Sequence, residues 1–249
     1  MRTASEIESK RSNHQQIHRV KTIFNDITPS YDLLNRLMSA RQDVHWRRRL
    51  AKLLTGDIRV VLDIATGTGD LAIEILKTKP YSKVCGIDFV PRMIDFAQAK
   101  TAGLSRNEKI NFCIGDGTFL PFADDSFDAA VISFGLRNIP DRSGALKEMV
   151  RVVRPGGKVL VLEMTFSGNL CLRPFFSWYL NRMIPFVGGL ISRNPDAYRY
   201  LPDSIKDFLH PDELCDLFRQ AGLNDVKAHP LTFGIAYIHE GIVTKCAAD

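Results

Sequence analysis

An apolar run opens at Val60 and breaks abruptly within the stretch to Leu71, VVLDIATGTGDL. Val60-Val61-Leu62 shows no polar alternation, the pattern of a strand buried on both faces. Thr66-Gly67-Thr68-Gly69 interrupts it. From Asp70 the apolar residues return at helical spacing, at Leu71, Ile75 and Leu76. The rhythm then repeats. Strands are predicted at 60–65, 83–88, 110–115, 127–133 and 158–164, with helices at 69–78, 91–101 and 143–153. Such alternation predicts an α/β fold, a mostly parallel sheet with helices on both faces. Arg154-Pro155-Gly156-Gly157 reads as a helix stop and a turn into the fifth strand. Right-handed crossovers place a ligand crevice at the carboxyl ends of the strands.

The flanks have a different pattern. Residues 1–19 are read as a mobile polar segment. Val20, Ile23, Phe24 and Ile27 share a helical face, Thr28-Pro29-Ser30 breaks it, and Tyr31–Met38 and His45–Leu50 resume it. Residues 20–55 are therefore expected to form a cap of two or three helices. After Thr165, residues 166–209 read as an apolar helical insertion, richest at 170–191. Arg173, Pro174, Asn181, Arg182 and Pro185 interrupt it, so it is not a membrane span. A packed lid and a surface meeting lipid or a greasy substrate both fit. A helix is predicted at 211–221, from Pro211 to just before Gly222. Strands at 224–231 and 234–244 then form an antiparallel hairpin at a sheet edge. The whole chain, 1–249, is read as a single domain.

Composition adds bounds. Hydrophobic residues at 45% and charged residues at 24% are those of a soluble globular protein. The five cysteines are scattered without CxxC spacing, as in a cytoplasmic protein with buried thiols and neither a disulfide framework nor a zinc site. No metal is expected. The first residues lack an apolar run, so no signal peptide is expected. Residues 1–60 hold twelve Lys/Arg against six Asp/Glu, while the remainder holds twenty-one against twenty-two. The basic excess fits a solvated helix face, an anionic membrane surface or nucleic acid. It lacks the aromatic interleaving of single-strand binders, and nucleic acid is not the expected partner.

Candidate chemistry sits at the predicted strand ends. Gly67 and Gly69 would let the backbone turn sharply and lie against a ligand. Asp88 follows about twenty residues later, where such folds place an acid on ribose hydroxyls. Gly67 to Ala72 also fits G-x-G-x-x-A, so a nicotinamide oxidoreductase must be considered. A dinucleotide site usually brings a second mononucleotide-binding half, and this chain has one half and then a hairpin. Asp116, at the end of the third strand, would accept from an adenine amino group.

In this order the features resemble the class I S-adenosylmethionine-dependent methyltransferases, with a Rossmann-like, seven-stranded sheet closed by an antiparallel hairpin. Tyr31-Asp32-Leu33-Leu34-Asn35, Ser39 and His45-Trp46-Arg47-Arg48 resemble the N-terminal signature of the ubiquinone/menaquinone biosynthesis C-methyltransferases. Ser133 to Asn138, Arg151 to Glu163, and Ala197 to Leu201 with Ser204-Ile205 are similar to later segments of that family. There are departures. The family usually has glycine near Arg41, and another at the position of Thr66. Asp116-Gly117 replaces a frequent Asn-Ala, and Thr165 a serine.

The resemblance implies S-adenosylmethionine as methyl donor. Thr68 and the backbone of Gly67 and Gly69 would hold its amino-acid part, Asp88 the ribose, Asp116 and Gly117 the adenine. Ser133 would lie near the transferring methyl. The implied acceptor is a demethylated prenyl-quinol, demethylmenaquinol or a 2-polyprenyl-6-methoxy-1,4-benzoquinol. On its side stand Tyr31, Arg137, Asn138 and His45. Arg137 would stabilise a phenolate, Tyr31 and Asn138 would hydrogen-bond the quinol oxygens, and His45 would accept a proton. A cytoplasmic protein in peripheral contact with anionic lipid is implied, and the family's frequent dimers point to a homodimer. The alternatives are a methyltransferase for a small phenol or RNA, an NAD-dependent oxidoreductase, and a non-catalytic protein that binds S-adenosylmethionine or quinone.

Overall fold

The computed structural model describes residues 17–105, 107–165, 182, 200 and 203–244. Most of the predicted apolar insertion and the first sixteen residues lie outside them. The cap comprises α1 (17–27), a 3-10 turn at Thr28–Ser30, α2 (Tyr31–Met38) and α3 (Gln42–Leu53). Residues 17–19, read with the mobile segment, belong to α1 because Ile17 continues its apolar spacing.

The core follows as β1 (Val60–Ile64), α4 (Asp70–Thr78), β2 (Lys83–Asp88), α5 (Pro91–Thr101), β3 (Ile110–Ile114), β4 (Phe127–Ser133), α6 (Arg142–Val152) and β5 (Val153–Met164). It closes with α7 (Pro211–Gln220), β6 (Leu223–Leu231) and β7 (Ala236–Val243). The seven strands form one sheet in the order β3-β2-β1-β4-β5-β7-β6. The first five are parallel, and β7 runs antiparallel to both β5 and β6.

The central strands are buried on both faces, as their unbroken apolar runs predict. Leu62 and Ile64 of β1, Ile132 of β4 and Val161 of β5 join Leu146 and Met149 of α6 and Phe218 of α7. Their strand neighbours Val61, Val131 and Leu160 join Trp46 and Leu50 of α3 and Leu71 and Ile75 of α4. Most of these side chains are fully buried. Each contributes roughly 1.5–3 kcal/mol by leaving water.

One boundary differs from the prediction. β5 begins at Val153, because Val153 pairs with Phe127 before the register jumps to Lys158 opposite Ala129. The Pro-Gly-Gly turn is thus a bulge inside the strand. A Cβ on Gly157 would lie 2.6 Å from the Asp128 carbonyl oxygen, so only glycine fits there.

Candidate active site

The topology reverses between β1 and β4, and there the loops leaving the parallel strands splay apart. A cleft of about 980 Å³, measured out to its open mouth, lies across those strand ends. Its walls are Ala65 and Gly67 after β1, Asp88 to Val90 after β2, Gly115 to Thr118 after β3, and Ser133 to Gly135 after β4. Asn138 to Asp141 close one side, and Ile17, Phe24 and Tyr31 of the cap roof it. A small polar pocket adjoins the cleft and shares Tyr31, Ala65, Gly67 and Ser133 with it. Arg47, Asp63, Thr66, Thr68 and Asp70 line the rest of that pocket.

The glycine turn is built as its sequence predicts. Gly67 and Gly69 have φ of 56° and 81°. A Cβ on Gly69 would come within 2.9 Å of the Phe112 ring. Asp88 fixes the turn by accepting from the Gly67 amide at 2.8 Å, and accepts from the Val90 amide at 2.9 Å. Burial pushes the Asp88 carboxyl up to about 6, against the pull of these amides.

Asp63, which the motifs do not single out, lies in the wall of the polar pocket. It is fully buried and accepts from the Thr66 hydroxyl at 2.6 Å. Burial pushes its carboxyl up to about 7, while Thr66 and the charge of Arg47 oppose the shift. Asp63 Oδ1 and Ser133 Oγ are buried and have no partner among the described residues. The polar pocket therefore holds two free acceptors for a cationic or hydrogen-bond-donating group.

Around it, three cations and three anions join the cap to the core. Asp70 accepts from Lys100 at 2.5 Å and from Arg36 at 2.6 Å. Asp43 pairs with Arg47 at 2.6 Å, and also with Arg36. Asp32 accepts from Lys100 and from the Thr68 hydroxyl, each at 2.5 Å. Burial would raise the Asp70 carboxyl, but Arg47, Lys100 and Arg36 outweigh it and hold it at about 2.

The predicted site residues are thus mostly brought together. Tyr31, Gly67, Asp88, Asp116, Gly117, Ser133 and Asn138 line one cleft. Thr68 lines the adjoining pocket with its hydroxyl engaged by Asp32, and Gly69 caps α4 behind it. Two expected acceptor-side residues are placed elsewhere. Arg137 is buried behind Phe134 and paired with Glu163 at 2.5 Å, so its charge is already compensated. His45 is exposed on α3, with Nδ1 3.3 Å from the Arg41 carbonyl. Neither lines the cleft, because the 3-10 turn at Leu136–Asn138 directs neighbouring side chains apart and His45 faces away from the α3 core stripe.

The profile of the ubiE/COQ5 methyltransferase family matches residues 10–243. The chain belongs to this family. It is 43% identical over 220 residues to a demethylmenaquinone methyltransferase of Thermus thermophilus, covering 88% of this chain and 99% of that one. It is 40% identical over 225 residues to the ubiquinone/menaquinone biosynthesis C-methyltransferase UbiE of Geobacter sulfurreducens, covering 90% and 88%. Among solved structures, an S-adenosylmethionine-dependent methyltransferase of Thermotoga maritima superposes with a TM-score of 0.62 at 21% identity, covering 90% and 99%. The fold is that of the S-adenosylmethionine-dependent methyltransferases, and the chain is a methyltransferase.

Membership in the ubiE/COQ5 family sharpens two of the departures seen in the sequence. Thr66, where the family often has glycine, supplies the hydroxyl bound to Asp63. Arg41, near a usual glycine, retains a left-handed φ of 63°, and Ala40 beside it has 48°.

Proposed function

We propose that this member of the ubiE/COQ5 family methylates a ring carbon of a demethylated prenyl-quinol, with S-adenosylmethionine as donor. One observation carries the reading. A polar pocket with two buried oxygens that have no partner among the described residues adjoins a broad cleft, and the two meet at Tyr31, Ala65, Gly67 and Ser133.

The residues present fit the donor. Asp63 Oδ1 and Ser133 Oγ would receive its ammonium, Asp88 its ribose, and Asp116 and Gly117 its adenine. S-adenosylmethionine supplies an electrophilic sulfonium methyl when bound. The remaining demands fall on the acceptor. An oxidised quinone ring is electron-poor, whereas a quinol donates density from oxygen to the carbon beside it. Tyr31 and Asn138 face the cleft and would hydrogen-bond the quinol oxygens. Phe24, Ile64 and Ile139 present apolar walls to the ring. The α1–α2 roof limits water, and fixing the ring against the donor pocket supplies several kcal/mol, on the order of 7–11 at best. The names of the Thermus and Geobacter relatives support a quinone-type acceptor.

The same reading places the protein against anionic lipid, where a prenylated substrate resides. The excess of cations within residues 1–60 supports this, as do Leu33 and Leu37, exposed one turn apart on α2. Among the described residues no helix is long and apolar enough to cross a membrane.

The test is transfer of labelled methyl to a short-chain demethylmenaquinone, with and without a chemical reductant. Label on the ring carbon only under reduction is the expected result. Donor binding without transfer to this quinol or to the benzoquinol would overturn the reading.

A further inference from the structure

We propose that Tyr200 is a positioning residue for the acceptor, locking the Asn138 amide so that its nitrogen faces the cleft and holds a ring oxygen. The inference rests on the quinol reading above.

Asn138 lies on the 3-10 turn after β4 and lines the cleft. Its amide is gripped at both ends. Nδ2 donates weakly to the Phe134 carbonyl at 3.4 Å, and Oδ1 accepts from the Tyr200 hydroxyl at 2.9 Å. A carbonyl only accepts, so a flipped amide would set two oxygens against each other at Phe134. The oxygen must therefore face Tyr200, which answers with its O–H. Phe134 has φ of 60°, a strained conformation for a bulky residue, and the Leu162 carbonyl holds it there through the Phe134 amide at 2.8 Å. Nδ2 carries a second hydrogen, for which no acceptor is present among the described residues.

Tyr200 is suited to this role. Its ring is half-buried, with the Arg19 guanidinium of α1 6.0 Å from the ring centre. Burial raises its phenol above the ordinary value, against the charges of Arg137 and Arg19, so it stays a donor at neutral pH. Without that donor, the 3.4 Å contact to Phe134 alone would leave the amide free to rotate. Tyr200 thus links the amide on the turn after β4 to Arg19 of the roof helix. A quinol oxygen is the kind of group the free N–H recognises, since it accepts a hydrogen bond and gains charge as the ring carbon reacts.

The experiment is a double-mutant cycle with Tyr200→Phe and Asn138→Ala, read with demethylmenaquinol under reduction. Tyr200→Phe keeps the ring and its packing. It is expected to lower kcat/KM for the acceptor by about tenfold while S-adenosylmethionine affinity stays within about twofold. In the Asn138→Ala background the same change is expected to cost less than about twofold. Equal effects in both backgrounds, or a parallel loss of donor affinity, would overturn the positioning role. A wild-type protein that transfers methyl to neither quinol would instead overturn the reading on which it rests.

Discussion

The Asp63 carboxylate, in the wall of the polar pocket, takes the Thr66 hydroxyl on one oxygen at 2.6 Å, while its other oxygen is buried with no partner among the described residues. A buried acid so placed changes its charge near neutrality, at about 7.

Asp63 couples both stability and donor affinity to pH. Its folded value lies above the unfolded 3.8, so the stability it contributes is fully present below 3.8 and is lost as pH rises through 7. Asp88, raised to about 6, acts in the same direction. The donor's ammonium favours the charged carboxylate and reverses the effect. S-adenosylmethionine affinity is expected to be greatest between about pH 7 and 8, since at higher pH the ammonium itself loses its proton. It should weaken as pH falls through 7, by up to about tenfold per unit. In Asp63→Asn, affinity should drop and the slope near 7 should flatten. Calorimetric titration between pH 6 and 8 checks this, and an unchanged slope in the variant would count against Asp63 as the ammonium's partner.

Arg137 and Glu163 form a buried pair, 6% and 2% exposed at the side chain, so removing one partner strands a charge. Arg137→Leu is expected to lower stability by about 3–5 kcal/mol. Arg137→Leu with Glu163→Leu should recover most of it. Urea unfolding of the single and double variants decides the matter, and equal losses in both would refute a paired role.

Arg41 carries φ of 63° at an exposed position. Left-handed backbone costs a non-glycine residue roughly 1–2 kcal/mol, partly offset by the greater unfolded-state freedom of glycine. Arg41→Gly is therefore expected to stabilise by about 0.5–1 kcal/mol, seen as a higher Tm. A lower Tm would mean that the arginine side chain makes up for the strain.

Contact with lipid is open to flotation with anionic vesicles at low and high salt. Binding is expected to weaken with salt and to fall in Leu33→Ser/Leu37→Ser, with methyl transfer to a short-chain acceptor retained. Protein that stays wholly in the soluble fraction, with and without substrate, would exclude the lipid contact.

Much of the fold was legible because its signals are local. The runs at Val60, Val84, Ala129 and Val159 carry strand character within a few residues, and Gly67, Gly69 and Pro91 mark the turns and the start of α5. Asp63 is readable in principle, as a lone charge inside a doubly buried run, but the glycines after it carry the stronger local signal. The start of β5 is not legible locally, because Pro-Gly-Gly signals a stop while the bulge is decided by pairing of Val153 with Phe127. The inward turn of Arg137 and the outward turn of His45 depend on which partner the fold brings near. Glu163 lies 26 residues beyond Arg137, on β5. Tyr200 belongs to a recognised segment, yet nothing local shows that its hydroxyl meets Asn138.

The six-charge cluster also sets an order of events during synthesis. Asp32 and Lys100 lie 68 residues apart, and Arg36 and Arg47, which share Asp43 within the cap, both reach Asp70. The cap leaves the ribosome first, yet its counter-charges on α4 and α5 emerge later. The roof of the cleft therefore sets only after the first two strands and α5 have been made, and nascent chains ending before Lys100 should show a cap still open to protease.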